Sequence, residues 1–193
     1  MKKERLTAFS DGVIAIIITI MVLELKVPHD ATWAARGKLL PAFLSYVLSF
    51  IYVGIYWNNH HHMLQMADRV NGPVLWANTH LLFWLSLIPF ATGWMGENHF
   101  AALPTAFYGM VLLMAGVAYL ILQYSIVRVD GPESPLGKAL GVDWKGKVSL
   151  ISYVPAILVS FWLTPAAHAI YVAVALLWLV PDTRIERALE VAD

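Results

Sequence analysis

The sequence contains no cysteine, and this absence removes several kinds of chemistry at once. Disulfide bonds, thiolate metal sites and thiol catalysis all require that residue. Charged residues are also scarce, since Asp, Glu, Lys and Arg make up 13% of the 193 residues, about half the ~25% that is usual for soluble domains. Acidic and basic residues are equal in number, at 13 each, so no excess of positive charge indicates nucleic-acid binding.

The common motifs of enzymes are missing as well. The sequence has no Gly-rich phosphate loop, no serine in a nucleophile elbow and no pair of catalytic acids. It also lacks the Thr-Val-Gly-Tyr-Gly segment that forms a carbonyl selectivity filter. We therefore predict a protein that is not an enzyme.

Hydrophobic residues make up 59% of the chain and are gathered into long segments. About 20 apolar residues are enough to cross the hydrocarbon core of a membrane as a helix. The sequence therefore predicts an all-α integral membrane protein, with residues 1–193 forming a single domain of six transmembrane helices. The predicted spans lie at about 6–27, 38–58, 73–95, 103–127, 147–163 and 166–181.

The last two segments are short. Each has about 16 residues, close to the lower limit of ~17 for a span, so they fit either two short spans or one re-entrant hairpin broken at Thr164-Pro165. Trp144 and Trp178 lie at their ends, where tryptophan anchors helices at the membrane interface. We therefore predict two spans.

The basic residues predict an orientation for these spans. Ten of the 13 fall in the termini and the even-numbered connections, and three fall in the first connection. Because positively charged segments stay on the inner side, both termini are predicted to be cytoplasmic. The first span lacks a cleavage site and is predicted to be retained, and 182–187 is predicted to form a short solvated helix.

The first span has two unlike sides. At ~100° per residue, four of its large aliphatic residues form a stripe within about 40° of the direction of Ile16, with Thr19 about 60° to one side of Ile16. Asp11 points about 140° away from Ile16, so the carboxylate and the aliphatic stripe occupy different surfaces. The stripe consists of Ile16, Ile20, Leu23 and Val27.

An acid inside a membrane segment needs polar partners, because an exposed charge costs several kcal/mol at that depth. The second span ends in Trp57, followed by His60-His61-His62, and the third span carries Asn78. These groups predict a polar network with Arg5, Ser10 and Asp11 at one level of the membrane.

The three consecutive histidines suggest a metal or haem site at first sight. On a helix, however, successive side chains point ~100° apart and do not converge on one ion. Without cysteine or a convergent pair of carboxylates, we predict structural histidines, with no metal and no cofactor. Two alternatives stay open: a proton-coupled transporter with Asp11 and His60-His61-His62 as a relay, and a membrane enzyme or haem protein that uses the histidines.

The first half of the chain resembles the transmembrane protein 175 family of potassium-permeable channels, in its short prokaryotic branch. The resemblance begins at Arg5-x-x-x-Phe9-Ser10-Asp11, which opens the first span ahead of the isoleucine-rich run. Two further segments resemble the family, namely Trp57-x-x-His60-His61 and Asn78 followed by Ile88-Pro89-Phe90-x-Thr92.

The resemblance implies a six-helix subunit, four copies of which surround a central pore lined by the first helix. It implies a constriction at Ile16, Ile20 and Leu23, with Thr19 at a position associated with ion selectivity. A ring of isoleucines gates by dewetting, conducting only when the helices move apart. The resemblance also implies permeation by potassium and other monovalent cations, a location in the bacterial inner membrane, and a structural polar network made of Arg5, Phe9, Ser10, Asp11, Trp57, His60, His61 and Asn78.

Overall fold

The computed structural model describes residues 2–27, 33–140 and 143–179, with the backbone alone for 33–36, 38, 139 and 140. These residues form helices joined by short connections, and the described part contains no strand. The all-α prediction is therefore confirmed. The helices are α1 (Lys3–Leu23), α2 (Trp33–Met66), α3 (Gly72–Ser86), α4 (Ile88–Glu97), α5 (Ala102–Asp130), α6 (Pro135–Leu140), α7 (Trp144–Val159) and α8 (Thr164–Leu179).

Four stretches of helix are long and apolar enough to cross a membrane: Lys3–Leu23, Leu39–Met66, Gly72–Glu97 and Ala102–Asp130. The two later helices, α7 and α8, have 16 residues each. At 1.5 Å per residue each is about 24 Å long, less than the ~30 Å of a hydrocarbon core. The six-span topology therefore stays a prediction, and 182–187 lies outside the described residues.

The third long stretch is divided into α3 and α4 at Leu87. Pro89 has no N–H to donate to the carbonyl of Leu85, so the helical ladder is interrupted there. Buried hydroxyls cross the same region. Thr92 Oγ1 lies 2.7 Å from the carbonyl of Ile88 and 2.6 Å from Ser49 Oγ, and Ser49 Oγ lies 3.0 Å from Tyr108 Oη.

The core is organised around α5, which packs against α3, α4, α7 and α8. Small residues on α5 let neighbouring side chains approach, as Gly109 does for the Tyr171 ring. The hydroxyl of Tyr52 donates to the carbonyl of Tyr171 over 2.6 Å. Trp178, predicted to be an interfacial anchor, donates to Ser149 Oγ over 2.8 Å and links α8 to α7.

The first helix lies at one side of this bundle and packs against α2, α3 and α4. Its contacts with its own subunit use one face only, with a spacing of three or four residues. The opposite face of α1 is covered by no described residue. The buried residues of α1 are Leu6, Ser10, Ile14, Ile17 and Met21.

Candidate functional site

The aliphatic stripe of α1 lies on the uncovered face of the helix. Ile16 is 58% exposed, Ile20 42% and Leu23 78%, and Val27 beyond the end of the helix is exposed as well. Branched aliphatic side chains are normally buried in a folded chain. A continuous stripe of them on a membrane helix therefore faces either lipid or another copy of the protein.

Thr19 lies beside this stripe and is exposed. Its hydroxyl donates to the carbonyl of Ile16, three residues earlier, over 2.9 Å. Because that bond occupies the only hydroxyl proton, the oxygen of Thr19 presents acceptor lone pairs outward. Thr19 is therefore the polar acceptor beside an otherwise aliphatic surface.

Asp11 lies on the other side of α1 and is bound by its own subunit. The indole Nε1 of Trp57 donates to Asp11 Oδ1 over 3.0 Å. The His61 ring stacks on Trp57 with 6.0 Å between ring centroids, and His61 Nε2 lies 3.0 Å from Gln65 Nε2. The carboxylate is therefore held by an indole rather than by an imidazole.

Ser10, Asn78 and His60 form a separate and fully buried chain. Asn78 Nδ2 donates to Ser10 Oγ over 2.9 Å, and Ser10 in turn donates to the carbonyl of Leu6 over 3.0 Å. His60 Nε2 lies 2.7 Å from the Oδ1 atom of Asn78, which is an acceptor. His60 Nε2 must therefore carry the proton, which leaves Nδ1 without one in the neutral ring.

The predicted polar network is thus divided into two parts with different surroundings. Ser10, Asn78 and His60 are fully buried between α1, α2 and α3, whereas Asp11 is half-buried and Trp57 is exposed. The Nδ1 atoms of His60, His61 and His62 are buried without a hydrogen-bond partner among the described residues. Six of the eight predicted members take part in these contacts, namely Ser10, Asp11, Trp57, His60, His61 and Asn78. Which of them pair depends on how the helices pack.

Arg5 and Phe9 lie apart from both groups. Both are exposed, and within the described chain the Arg5 side chain makes no hydrogen bond or ion pair. They lie eleven and seven residues before Ile16, which places them within about 20° of it on the helix. This spacing was readable from the sequence, and it makes Arg5 and Phe9 the continuation of the aliphatic stripe toward the N-terminus.

Charged residues gather at the opposite end of α1. Lys26 pairs with Glu97 at the end of α4, and the Glu97 carboxylate raises the pKa of the exposed Lys26 ammonium above its ordinary value of 10.5. Glu24 lies over Gly93, where an added Cβ would come within 3.1 Å of Glu24 Oε2. The carboxylate of Glu24 is therefore packed against α4 rather than fully extended into the surroundings.

The histidines do not converge. His60 faces Asn78, while His61 faces Trp57 and Gln65. Among the described residues, no group of three or more His, Asp or Glu side chains is placed to hold a metal ion.

The fold and this site define a class: a helical membrane protein whose first span is bound to its own subunit through Ser10, Asp11 and buried apolar residues, and whose opposite face is aliphatic and uncovered. The chain belongs to the TMEM175 family. The family model described as endosomal/lysosomal potassium channel TMEM175 matches residues 5–89. A protein named potassium channel from Chryseobacterium sp. (strain P1-3) is 56% identical over 98% of this chain and 99% of that protein.

Two further comparisons extend this finding. The endosomal/lysosomal proton channel TMEM175 of Bos taurus is 35% identical over 103 residues, which cover 47% of this chain and 22% of the bovine protein. The crystal structure of a lysosomal potassium-selective channel TMEM175 homolog from Chamaesiphon minutus matches with a TM-score of 0.81 and 23% identity. It covers 92% of this chain and 96% of that one. The family consists of ion channels, so the prediction that the chain is not an enzyme is confirmed.

Proposed function

We propose that this protein is a potassium-permeable cation channel whose pore is lined by α1 from four copies of the chain. The observation that carries the proposal is the division of α1 into two sides. Asp11 and Ser10 are bound within the subunit, while Ile16, Ile20 and Leu23 are left uncovered. The name of the Chryseobacterium relative supports potassium as the permeant ion.

In this proposal, Ile16, Ile20 and Leu23 form the constriction. Four branched side chains at one level leave too little polar surface to hold water, so the pore conducts only when the helices tilt apart. Discrimination between cations then comes from the cost of removing their water at an apolar ring. That cost is lower for potassium than for sodium, so the preference for potassium is moderate.

Thr19 is the position associated with ion selectivity. Its hydroxyl oxygen has free lone pairs because the proton is committed to the carbonyl of Ile16. Such an oxygen can replace one water of a passing cation. The ring of Thr19 side chains thus offers polar stabilisation next to the apolar ring.

The remaining features of the proposal concern the membrane. Each subunit contributes six spans, with α7 and α8 as the two short ones, and the termini face the cytoplasm. The distribution of lysine and arginine supports this orientation. The channel lies in the bacterial inner membrane as a homotetramer, contacts lipid, has no cofactor and does not bind nucleic acid.

The test is a potassium-flux measurement on purified protein in liposomes, combined with single-channel recording. We expect Ile16→Asn to raise the conductance and to lower the preference for potassium over sodium, because amides hold water in the constriction. Ile151→Asn is the matched control, since Ile151 is an exposed isoleucine on α7, away from α1. Unchanged currents in Ile16→Asn would contradict the proposed pore.

A second candidate is the proton-coupled transporter. The bovine relative is named a proton channel, which supports movement of protons but not its coupling to a second substrate. In this case Asp11 and His60-His61-His62 would pass protons. A transporter shows saturable, pH-driven flux at low turnover, whereas a channel shows unitary currents. Recording from the same liposomes with a proton gradient as the only driving force separates the two.

A further inference from the structure

The uncovered side of α1 is wider than a pore alone requires. We take the direction of Ile16 around the helix axis as 0°. The residues of α1 that pack against the rest of the subunit then have a mean direction of about +120°, where Ser10, Ile17 and Met21 lie. Exposed residues extend from Ile20 at about +40° to Val22 at about −120°. This exposed arc is wider than the part of each helix that faces the axis when four helices surround a pore.

In a four-fold ring, the exposed residues of α1 that do not face the central axis contact α1 of the two neighbouring copies. Seen from one corner of a square, the centre lies at 0° and the two adjacent corners lie at ±45°. Gly12 and Thr19 fall at about −40° and −60°, while Ile20 and Val13 fall at about +40° and +60°. Since equivalent residues share one level in a symmetric ring, Gly12 meets a neighbour's Val13 and Thr19 meets a neighbour's Ile20, each within about 1.5 Å of level.

The positive side of α1 carries a groove that fits this contact. It lies between α1 and α4 and is lined by Val13 and Ile20 on one wall and by Phe90 and Trp94 on the other. Phe90 is exposed, so the described part of the chain leaves the groove open. The negative side is open within the subunit, because no atom lies within 4 Å of a Cβ added to Gly12.

The register of α4 against α1 follows from two contacts. Asn78 binds Ser10, an offset of 68 residues (78 − 10), and Gly93 lies under Glu24, an offset of 69 (93 − 24). Phe90 is therefore level with residues 21 and 22 of α1. When α1 of a neighbouring copy lies in this groove, the side of that α1 near −105° faces the α4 that lines the groove. On that side, Val22 is the exposed residue at the level of Phe90.

We propose that the groove between α1 and α4 is the seat for α1 of a neighbouring copy, which places Val22 of one subunit against Phe90 of the next. This inference rests on the proposed function, since it takes α1 as the pore helix. The contact is head-to-tail, so each subunit offers the groove to one neighbour and its Val22 face to the other, and the ring closes. The pore is incomplete without this contact, because Ile20 belongs both to one wall of each groove and to the proposed constriction.

Disulfide cross-linking tests this directly, because the natural chain has no cysteine. The variant carries Val22→Cys together with Phe90→Cys and is oxidised in membranes. We expect covalent dimers, trimers and tetramers on a non-reducing gel, all returning to monomer with reductant. Val22→Cys with Leu176→Cys is the matched control, since Leu176 is an exposed residue on α8, and we expect it to remain monomeric.

The possible results separate this inference from the proposed function. If the Val22/Phe90 variant conducts potassium but forms no ladder, or if the Leu176 control forms an equal ladder, the groove contact is wrong and the pore stands. If Ile16→Cys is out of reach of water-soluble thiol reagents in open channels, the pore itself is wrong. A second pair, Ala15→Cys with Ser86→Cys joined by a short bismaleimide, replaces the first if that variant elutes as aggregate, and absence of its ladder overturns the contact equally.

Discussion

The indole of Trp57 donates a hydrogen bond to the carboxylate of Asp11 across 3.0 Å, and this bond joins the first turns of α1 to the second half of α2. Together with the buried Ser10–Asn78 bond, it restricts the rotation of α1 about its own axis. Because Asp11 and Ile16 point about 140° apart on the helix, holding the carboxylate against α2 also turns the isoleucine away from the subunit.

We expect Asp11→Ala to weaken the assembly more than it alters permeation. The variant loses one of the bonds that restrict the rotation of α1, while the residues of the proposed constriction stay unchanged. The measurement is the tetramer fraction after graded heating in detergent, together with the potassium-to-sodium permeability ratio of surviving channels. Glu4→Ala is the control, since Glu4 is an exposed acid on the same helix. A stable Asp11→Ala tetramer with altered selectivity would reverse the assignment.

Asn78→Ala should destabilise the folded subunit. Asn78 links His60 to Ser10 in a fully buried position, and its removal leaves the His60 Nε2 proton without an acceptor. Leaving one buried polar group unsatisfied costs about 1–3 kcal/mol. Unfolding in a denaturing detergent would measure the loss, and Thr79→Ala, at the exposed neighbouring position, should cost much less. Equal stability of the two variants would contradict the prediction.

Gly96→Ala should interfere with the packing of α4 on α2. An added Cβ would lie 2.7 Å from the Cα of Ala42 and 2.5 Å from Ser45 Oγ, so the helices must separate, at a cost of about 1–3 kcal/mol. Gly54→Ala is the matched change in a helix with open space around it, and there the better helix propensity of alanine adds roughly 0.5–1 kcal/mol. The thermal unfolding midpoints of the two variants should therefore move in opposite directions.

Arg5→Gln should increase cation conductance at low ionic strength. Arg5 is exposed on the same face as Ile16, so the proposed tetramer carries four guanidinium groups at one mouth of the pore, where they repel cations. Arg5→Lys keeps the charge and should behave like the natural protein. The increase should fade at high salt, where charges beyond about 3–10 Å are screened. A gain in conductance independent of salt would point to a steric rather than an electrostatic effect.

The two-sided character of α1 could be predicted from the sequence, because a helical wheel needs only the spacing of residues. The third stretch was predicted as one span at about 73–95, and the structure divides it beside Pro89 into α3 and α4. The ends of the helices were harder to predict from the sequence. The second span was predicted to end at 58, yet α2 continues to Met66, because polar residues such as His61 and Gln65 end the apolar run without breaking the helix.

The pairing of the polar residues could not be predicted. Ser10, Asp11, Trp57, His60 and Asn78 were all expected in one network. Which of them meet is decided by the crossing of α1 with α2 and α3, and spacing along the chain does not determine that crossing. Adjacent residues on a helix point ~100° apart, which explains why Ser10 turns into the bundle and Asp11 toward the rim.

The interruption at Leu87 divides the third stretch into two separate helices, α3 and α4, and each contacts a different part of α1. Asn78 fastens α3 to the inner portion of α1, while Glu24 lies on Gly93 of α4 at the far end. The two ends of α1 are therefore held by two separate helices rather than by one continuous helix, and the proline-containing break lies between the two contacts.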